Sequence, residues 1–435
     1  MLTWRSFRIA SESISASPAQ PEEWFTPDTN HHSLFTTGRA SFRSPAFLYL
    51  PTMPAFFNDL RVLPRPFWVL VGATFVNRFG LFVWPFLTLY ITRSGHSAAE
   101  ASWAVAAYST GSFCAAFLGG WLADRLGRNV TLALSALGGA ACMMALSQAH
   151  DWRWLTGIAL ITGLVSEAGS PAGSALVQDI VPVHQRVMAY AVLRFAVNLG
   201  WSFGPAVAGW LAESSFFWLF AVDAATSFVF GIIAWTCLPR GERTAAHQAG
   251  WGIAWASIRQ NKPFLALALT CTLVAWIFRQ TTSTFPLHFE HSGLPVHWTG
   301  TVLALNGVMI CLLEVPLASV TRPWPVRVML ALGYVFTGGS FLLLIGKPTL
   351  PMFFLMMVVF TVGEMFAFSR QQAYAASLAP DAMRGRYSGF LSLSWGLGGI
   401  ISSIAALHLF ENSPDLVWII SAVLGVMAAG MILRK

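Results

Sequence analysis

Gly119-Gly120-Trp121-Leu122-Ala123-Asp124-Arg125-Leu126-Gly127-Arg128 is a short knot of glycine and charge caught between two apolar runs. One run covers about residues 100–122 and the next about 130–148. A helix of roughly 20 apolar residues crosses a hydrocarbon core of about 30 Å, so each run is long enough to span a membrane. Gly120 has no side chain, which lets a neighbouring helix approach closely. Asp124 and Arg128 can make charge-assisted contacts at the membrane edge.

Working outward, the same kind of run recurs. Four others are read in the first half of the chain, at roughly 67–92, 153–178, 187–212 and 215–237. Six follow a polar stretch, at roughly 263–289, 297–320, 326–345, 350–378, 385–410 and 415–433. Hydrophobic residues are 55% of the 435 positions and charged residues 10%, against roughly 25% charged in soluble domains. So few charges cannot cover the surface of a water-soluble fold of this length. The expectation is an all-α membrane protein of twelve transmembrane helices in two pseudo-symmetric six-helix halves.

The net charge of +7 gathers in no basic stripe of the kind that binds nucleic acid. It sits between the runs and speaks of topology. With the N-terminus inside, cytoplasmic segments hold Arg61, Arg65, Arg125, Arg128, Arg186, Arg240, Arg243, Arg259, Lys262, Arg322, Arg327, Arg384, Arg386, Arg434 and Lys435. The opposite side holds Arg93, Arg153 and Lys347, so the positive-inside rule places both termini in the cytoplasm. The five cysteines, Cys114, Cys142, Cys237, Cys271 and Cys311, lie inside apolar runs without a CxxC pair, and read as packing residues. No metal and no cofactor are expected.

Residues 1–60 are rich in Ser, Pro and Thr, contain Glu12, Glu22, Glu23 and Asp28, and read as a disordered extension. Translation beginning at Met53 is a hypothesis that mass spectrometry of the N-terminus would decide, and peptides from residues 1–52 would sink it. Residues 61–237 and 263–435 form the two halves, joined by a cytoplasmic linker over 238–262. There Trp251, Trp255 and Ile258 share a helical face near Arg259 and Lys262, the pattern of a helix lying on the membrane surface. The halves carry a weak repeat. Pro182-Val183-His184-Gln185-Arg186 and Pro380-Asp381-Ala382-Met383-Arg384 are offset by 198 residues, each followed by a tyrosine, Tyr190 and Tyr387. Such repeats build secondary transporters with a midplane site between halves.

The opening knot resembles the cytoplasmic loop signature of the major facilitator superfamily, G-x-x-x-D-R-x-G-R. The resemblance implies that fold and a latch between halves, with Gly120, Asp124, Arg125, Arg128, Asp179, Arg384 and Arg386 as its residues. Asp124 is then expected near the cytoplasmic end of the eleventh helix, with Asp179 joining the network. The matching loop of the second half, Leu317 to Arg327, lacks the glycine and the aspartate. Gly200, Gly204, Pro205 and Gly209 in the fifth run resemble the motif of proton-driven exporters, although Trp210 stands where a small residue is usual. A plain packing kink is the alternative. Asn77-Arg78-Phe79-Gly80 and Gly363-Glu364-Met365-Phe366 resemble the drug:proton antiporter branch, with multidrug-resistance-like exporters. The fourth run lacks the arginine usual there.

Charges inside the runs supply the candidate cavity: Arg78, Glu167, Arg194, Asp223, Arg279, Glu314, Glu364 and Arg370, with Trp84, Phe86 and Tyr90 as aromatic lining. Each central charge costs roughly 2.5–3.5 kcal/mol on insertion scales, so each should face a cavity or a partner. Structural ion pairing and aromatic packing are the bland alternatives. Glu167 and Glu364 are 197 residues apart, close to the repeat offset, and Glu364 is the first proton-carrier candidate. A carboxyl group deep in an apolar span can hold a proton near neutral pH.

The function expected is secondary transport by alternating access, specifically proton-coupled export of small amphipathic molecules or drugs. Uptake of a small metabolite is the alternative, and a transport-dead interaction protein is the alternative of another class. An enzyme is not expected: there is no H-E-x-x-H site, no G-x-S-x-G elbow is read, and His150, His184, His288, His291, His297 and His408 lie near run ends. The expected partners are a small-molecule substrate, protons and the lipid bilayer, for a monomer in the inner or plasma membrane.

Overall fold

A computed structural model of the chain describes residues 60, 62–182, 185–241, 251–321, 323–380 and 383–434. The expected extension over 1–60, with the suggested start at Met53, lies outside the described residues except for Leu60. The spans are α1 (Arg65–Arg93), α2 (Ala98–Leu126), α3 (Arg128–Gln148), α4 in two pieces (Trp152–Glu167 and Gly169–Ile180), α5 (Arg186–Ser214) and α6 (Phe216–Cys237). A linker helix (Trp251–Gln260) precedes α7 (Lys262–His291), α8 (Val296–Val320), α9 (Val326–Leu344), α10 (Leu350–Leu378), α11 (Arg384–Asn412) and α12 (Pro414–Leu433). Among the described residues no strand forms.

The ends of these helices follow local chemistry. Ser97 and Glu100 form a reciprocal capping box at the start of α2. Asp151 caps α4 and Asn261 caps α7 through their side-chain oxygens. Gly127, at φ 102°, turns the chain from α2 into α3, a conformation that disfavours any residue with a Cβ. Among the described residues, nine spans are apolar and long enough to cross a membrane by length and composition. The other three, α2, α4 and α5, belong to the first half, and α4 is divided into pieces of 16 and 12 residues.

Packing repeats between the halves. The pairs α1–α5, α2–α4, α3–α6 and α3–α4 of the first half recur as α7–α11, α8–α10, α9–α12 and α9–α10 of the second. The halves meet along α5–α8 and α2–α11, pairs exchanged by the same pseudo-twofold relation. Small residues permit these contacts. A Cβ on Gly300 of α8 would stand 1.9 Å from the Pro205 carbonyl oxygen of α5, and one on Gly307 would stand 2.5 Å from Ser202 Oγ. Large apolar side chains such as Val315 and Val320 stay exposed on the outer surface, as lipid contact requires.

What the apolar runs did not disclose are the breaks. α1 leaves helical geometry over residues 80–83 and resumes through a 3-10 turn, Trp84–Phe86. α7, its counterpart, breaks over residues 281–283. α4 is interrupted at Ala168. The linker helix forms as expected, but the shared face divides: Ile258 is buried while Trp255 is exposed, and the side chain of Trp251 lies outside the described residues. Ser257 Oγ meets Tyr387 Oη at 2.9 Å, which ties this helix to α11.

Candidate functional site

At the end of the bundle that carries the start of α1 and the end of α12, the terminal end, the charged knot makes a compact network. Arg128 Nη1 donates to Asp124 Oδ1 at 2.6 Å and Arg128 Nε to Asp179 Oδ2 at 3.4 Å. Asp124 is 58% exposed in its side chain, and its ion pair is with Arg128 of its own half. Arg125 stacks on Trp121 at 4.4 Å. No ion pair joins Asp124 to α11 among the described residues; the Arg384 side chain lies outside them, and Arg386 Nη1 is buried without a hydrogen-bond partner. Gly120 requires a correction. A Cβ there would meet nothing within 4 Å, whereas one on Gly119 would stand 2.1 Å from the Ala168 carbonyl oxygen. The close approach belongs to Gly119, which seats α2 against the break in α4.

The α5 glycines divide their work. Cβ atoms on Gly200 and Gly204 would run into residues 78 and 79 of α1 at 2.8 and 2.6 Å. A Cβ on Gly209 would lie 3.0 Å from His297 of α8, across the halves. The letters G-x-S-x-G do occur, as Gly200-Trp201-Ser202-Phe203-Gly204, contrary to the reading above. Ser202 is buried inside continuous helix and donates to the Asn198 carbonyl at 2.8 Å, so the string makes no strand-to-helix elbow.

At the opposite, far end the halves are stitched together. Arg93 meets Glu290 at 2.6 Å, His297 meets Glu213 at 2.7 Å, and the Ala99 N–H donates to Glu411 at 2.7 Å. Thr88 Oγ1 donates at 2.9 Å to the Ser283 carbonyl, which joins the broken helices α1 and α7. Arg194 and Glu314, both expected in the cavity, instead pair across the α5–α8 seam at 2.7 Å.

Between the halves lies a cavity of about 570 Å³, lined from α2, α4, α7 and α11. Tyr108, Phe113, Glu167, Arg279, Ser392 and Trp395 are among its walls. Tyr108 Oη donates to Glu167 Oε1 at 3.1 Å, its ring centroid lies 3.9 Å from that of Trp84, and Arg279 lies over the other ring of this stack, 5.2 Å from the Trp84 centroid. A smaller cavity of about 250 Å³ lies inside the first half and is lined by Asn77, Arg78, Ser135, Asp223 and Ser227. Tyr108, Glu167, Ser170 and Ser174 border both spaces. Glu167 therefore stands in the partition between an inner chamber and the inter-half cavity.

The break in α4 puts Glu167 there. Glu167 ends the first piece, and the interrupted backbone is satisfied from α3: Gly169 N–H donates to Ser135 Oγ at 2.8 Å, and that hydroxyl faces the Val165 and Ser166 carbonyls at 2.6 and 2.8 Å. Asp223 does similar service for α1, accepting from the Val83 N–H at 3.4 Å inside the break. Arg78 lines the inner chamber with its buried Nε unpartnered.

Other expectations fall away from the cavity. Tyr90 packs on Phe216 and Phe220, and Phe86 is wholly buried in the core. Arg370 donates to the Phe366 carbonyl at 3.2 Å and to Thr321, at the end of α8. Glu364 accepts from Asn306 Nδ2 at 2.7 Å within the second half and lines neither of the two cavities. Tyr108, Ser135 and Gly399 were not singled out from the sequence; each is an ordinary residue of an apolar run until its neighbours are known.

The family model described as Major Facilitator Superfamily matches residues 70–403. The uncharacterized MFS-type transporter YttB of Bacillus subtilis (strain 168) is 26% identical over 337 residues, covering 76% of this chain and 84% of that protein. A Na(+), Li(+), K(+)/H(+) antiporter of Planococcus maritimus is 25% identical over 377 residues, 77% of this chain and 87% of the relative. The multidrug resistance protein MdtH of Cronobacter sakazakii is 27% identical over 331 residues, with 72% and 79% covered. Among solved structures, the peptide transporter POT in complex with sulfate superposes with a TM-score of 0.70 at 16% identity, over 85% of this chain and 93% of that one. That likeness is one of fold.

Proposed function

This chain belongs to the major facilitator superfamily, and from that premise we propose that it is a proton-coupled exporter of small amphipathic molecules working by alternating access. Membership makes it a multi-pass secondary transporter of the cell membrane.

One observation carries it: a single carboxylate, Glu167, borders both the inter-half cavity and the inner chamber. A coupling group has to meet substrate on one side and water on the other, and Glu167 is placed to do both. Glu364, the candidate preferred from the sequence, has an amide partner and borders neither space. The carrier role passes to Glu167. With the termini in the cytoplasm, the far-end ion pairs close the outside and the cavity faces inward. Relatives named for multidrug resistance and for cation/proton antiport are consistent with exchange against protons. A cavity of about 570 Å³ falls in the range of about 300–1,000 Å³ typical of small-molecule sites.

The test is flux in everted vesicles loaded by an imposed pH gradient, acid inside. Ethidium should accumulate, and a protonophore should abolish accumulation. Accumulation that is indifferent to the gradient, or that runs only under the reversed gradient, would exclude proton-coupled export.

A further inference from the structure

Arg279 is a cation in the middle of a membrane protein whose charged neighbour, Glu167, lines the same cavity without touching it. Among the described residues no ion pair or hydrogen bond engages its guanidinium, which lies over the Trp84 ring at 5.2 Å and borders the inter-half cavity. α11 clears room for it: a Cβ on Gly399 would come within 2.9 Å of Arg279 Nη2. Burying a guanidinium is costly, and retaining one in a cleared, aromatic-backed slot points to a bound anionic group. On another wall of the same cavity Glu167 accepts from Tyr108 Oη at 3.1 Å, and among the described residues no ion pair joins it to Arg279. The two charges come from opposite halves, Glu167 from α4 and Arg279 from α7. Phe113, Phe117 and Trp395 supply apolar walls to the same cavity.

We propose that the molecule taken into this cavity is an aromatic zwitterion, its acidic group docked on Arg279 and its basic group on Glu167. The proposal rests on the export reading above and names the substrate class of that site. Arg279 offers a planar fork of donors that fits a carboxylate with two parallel hydrogen bonds. The aromatic body lies along Phe113 and Trp395. The basic end, an ammonium or iminium cation, pairs with the Glu167 carboxylate on the α4 wall. An anion-only ligand would have no such claim on Glu167, and a cation-only ligand would leave Arg279 unanswered.

Rhodamine 110 and its methyl ester, rhodamine 123, share the cationic xanthene and differ only in the free carboxylate. Their binding to the purified full chain is read by fluorescence anisotropy in detergent. Rhodamine 110 should bind about tenfold tighter than the ester, as one charge-assisted fork allows. Arg279→Gln should bring the two affinities to within about twofold of each other by weakening rhodamine 110 alone. Arg279→Lys, which keeps the charge but not the fork, should fall between and serves where the glutamine variant fails to fold. Gly399→Ala should weaken rhodamine 110 and spare rhodamine 123, because its methyl group intrudes on the guanidinium. Equal affinities in the unmodified chain, a preference that survives Arg279→Gln, or binding of neither dye would overturn the zwitterion. Ethidium accumulation driven by the proton gradient in that event leaves exchange transport standing, so the two readings fail separately.

Discussion

Glu167 was visible in the sequence only as one of several charges in apolar runs; its partners were not. Which face of a helix a residue occupies depends on packing rotation, and the sequence alone favoured Glu364. The same limit explains the glycine of the knot: two adjacent glycines, Gly119 and Gly120, point about 100° apart on a helix, and only one meets α4. Gly119→Leu should therefore destabilise by about 1–3 kcal/mol through overpacking and lower flux at least tenfold. Gly120→Leu should leave thermal stability in detergent nearly unchanged. Equal melting temperatures for the two variants would contradict the assignment. Asp124→Asn removes one of the two carboxylate partners of Arg128 without touching core packing. Expression should persist while flux falls, and full flux from well-folded protein would count against a latch.

At the scale of elements, the spans were legible because runs of about 20 apolar residues have few alternatives. The breaks had a signal of their own: Pro85, Pro171 and Pro286 lack the N–H that would bond the carbonyl four residues earlier, at Leu81, Glu167 and Thr282, inside or beside each break. The breaks depend on tertiary partners that replace lost backbone hydrogen bonds. Ser135 is one such partner, so Ser135→Ala should cost about 1–3 kcal/mol by leaving the Gly169 N–H unsatisfied. It should also weaken ethidium accumulation more than ethidium binding, because the carboxylate it helps to position would be displaced. Ser135→Thr, which restores the hydroxyl, should recover part of both. An alanine variant with unaltered stability would mean the break holds without this hydroxyl. Along α5, Pro205 and the small residues around it signalled close packing, yet the matching glycines of α8, Gly300 and Gly307, became meaningful only once the two helices were seen to touch.

For the whole molecule, the repeat offset announced two halves, and the packing pairs α3–α6 and α9–α12 repeat accordingly. Orientation rests on basic residues and is tested by labelling. In a chain stripped of its five native cysteines, a cysteine at Ser97 or Ser413 should react with an impermeant thiol reagent added outside. One at Trp324, at the terminal end between α8 and α9, should not; the reverse pattern would invert the topology. The central claim, that the halves rock about the cavity with the far end closing and reopening, has a direct test at the contact between Ala99 and Glu411. Cysteines at both positions, joined by a short bifunctional methanethiosulfonate reagent in the same background, lock α2 to α11. Ethidium accumulation in everted vesicles should stop on cross-linking and return on reduction. Undiminished accumulation by fully cross-linked protein would contradict alternating access in this chain.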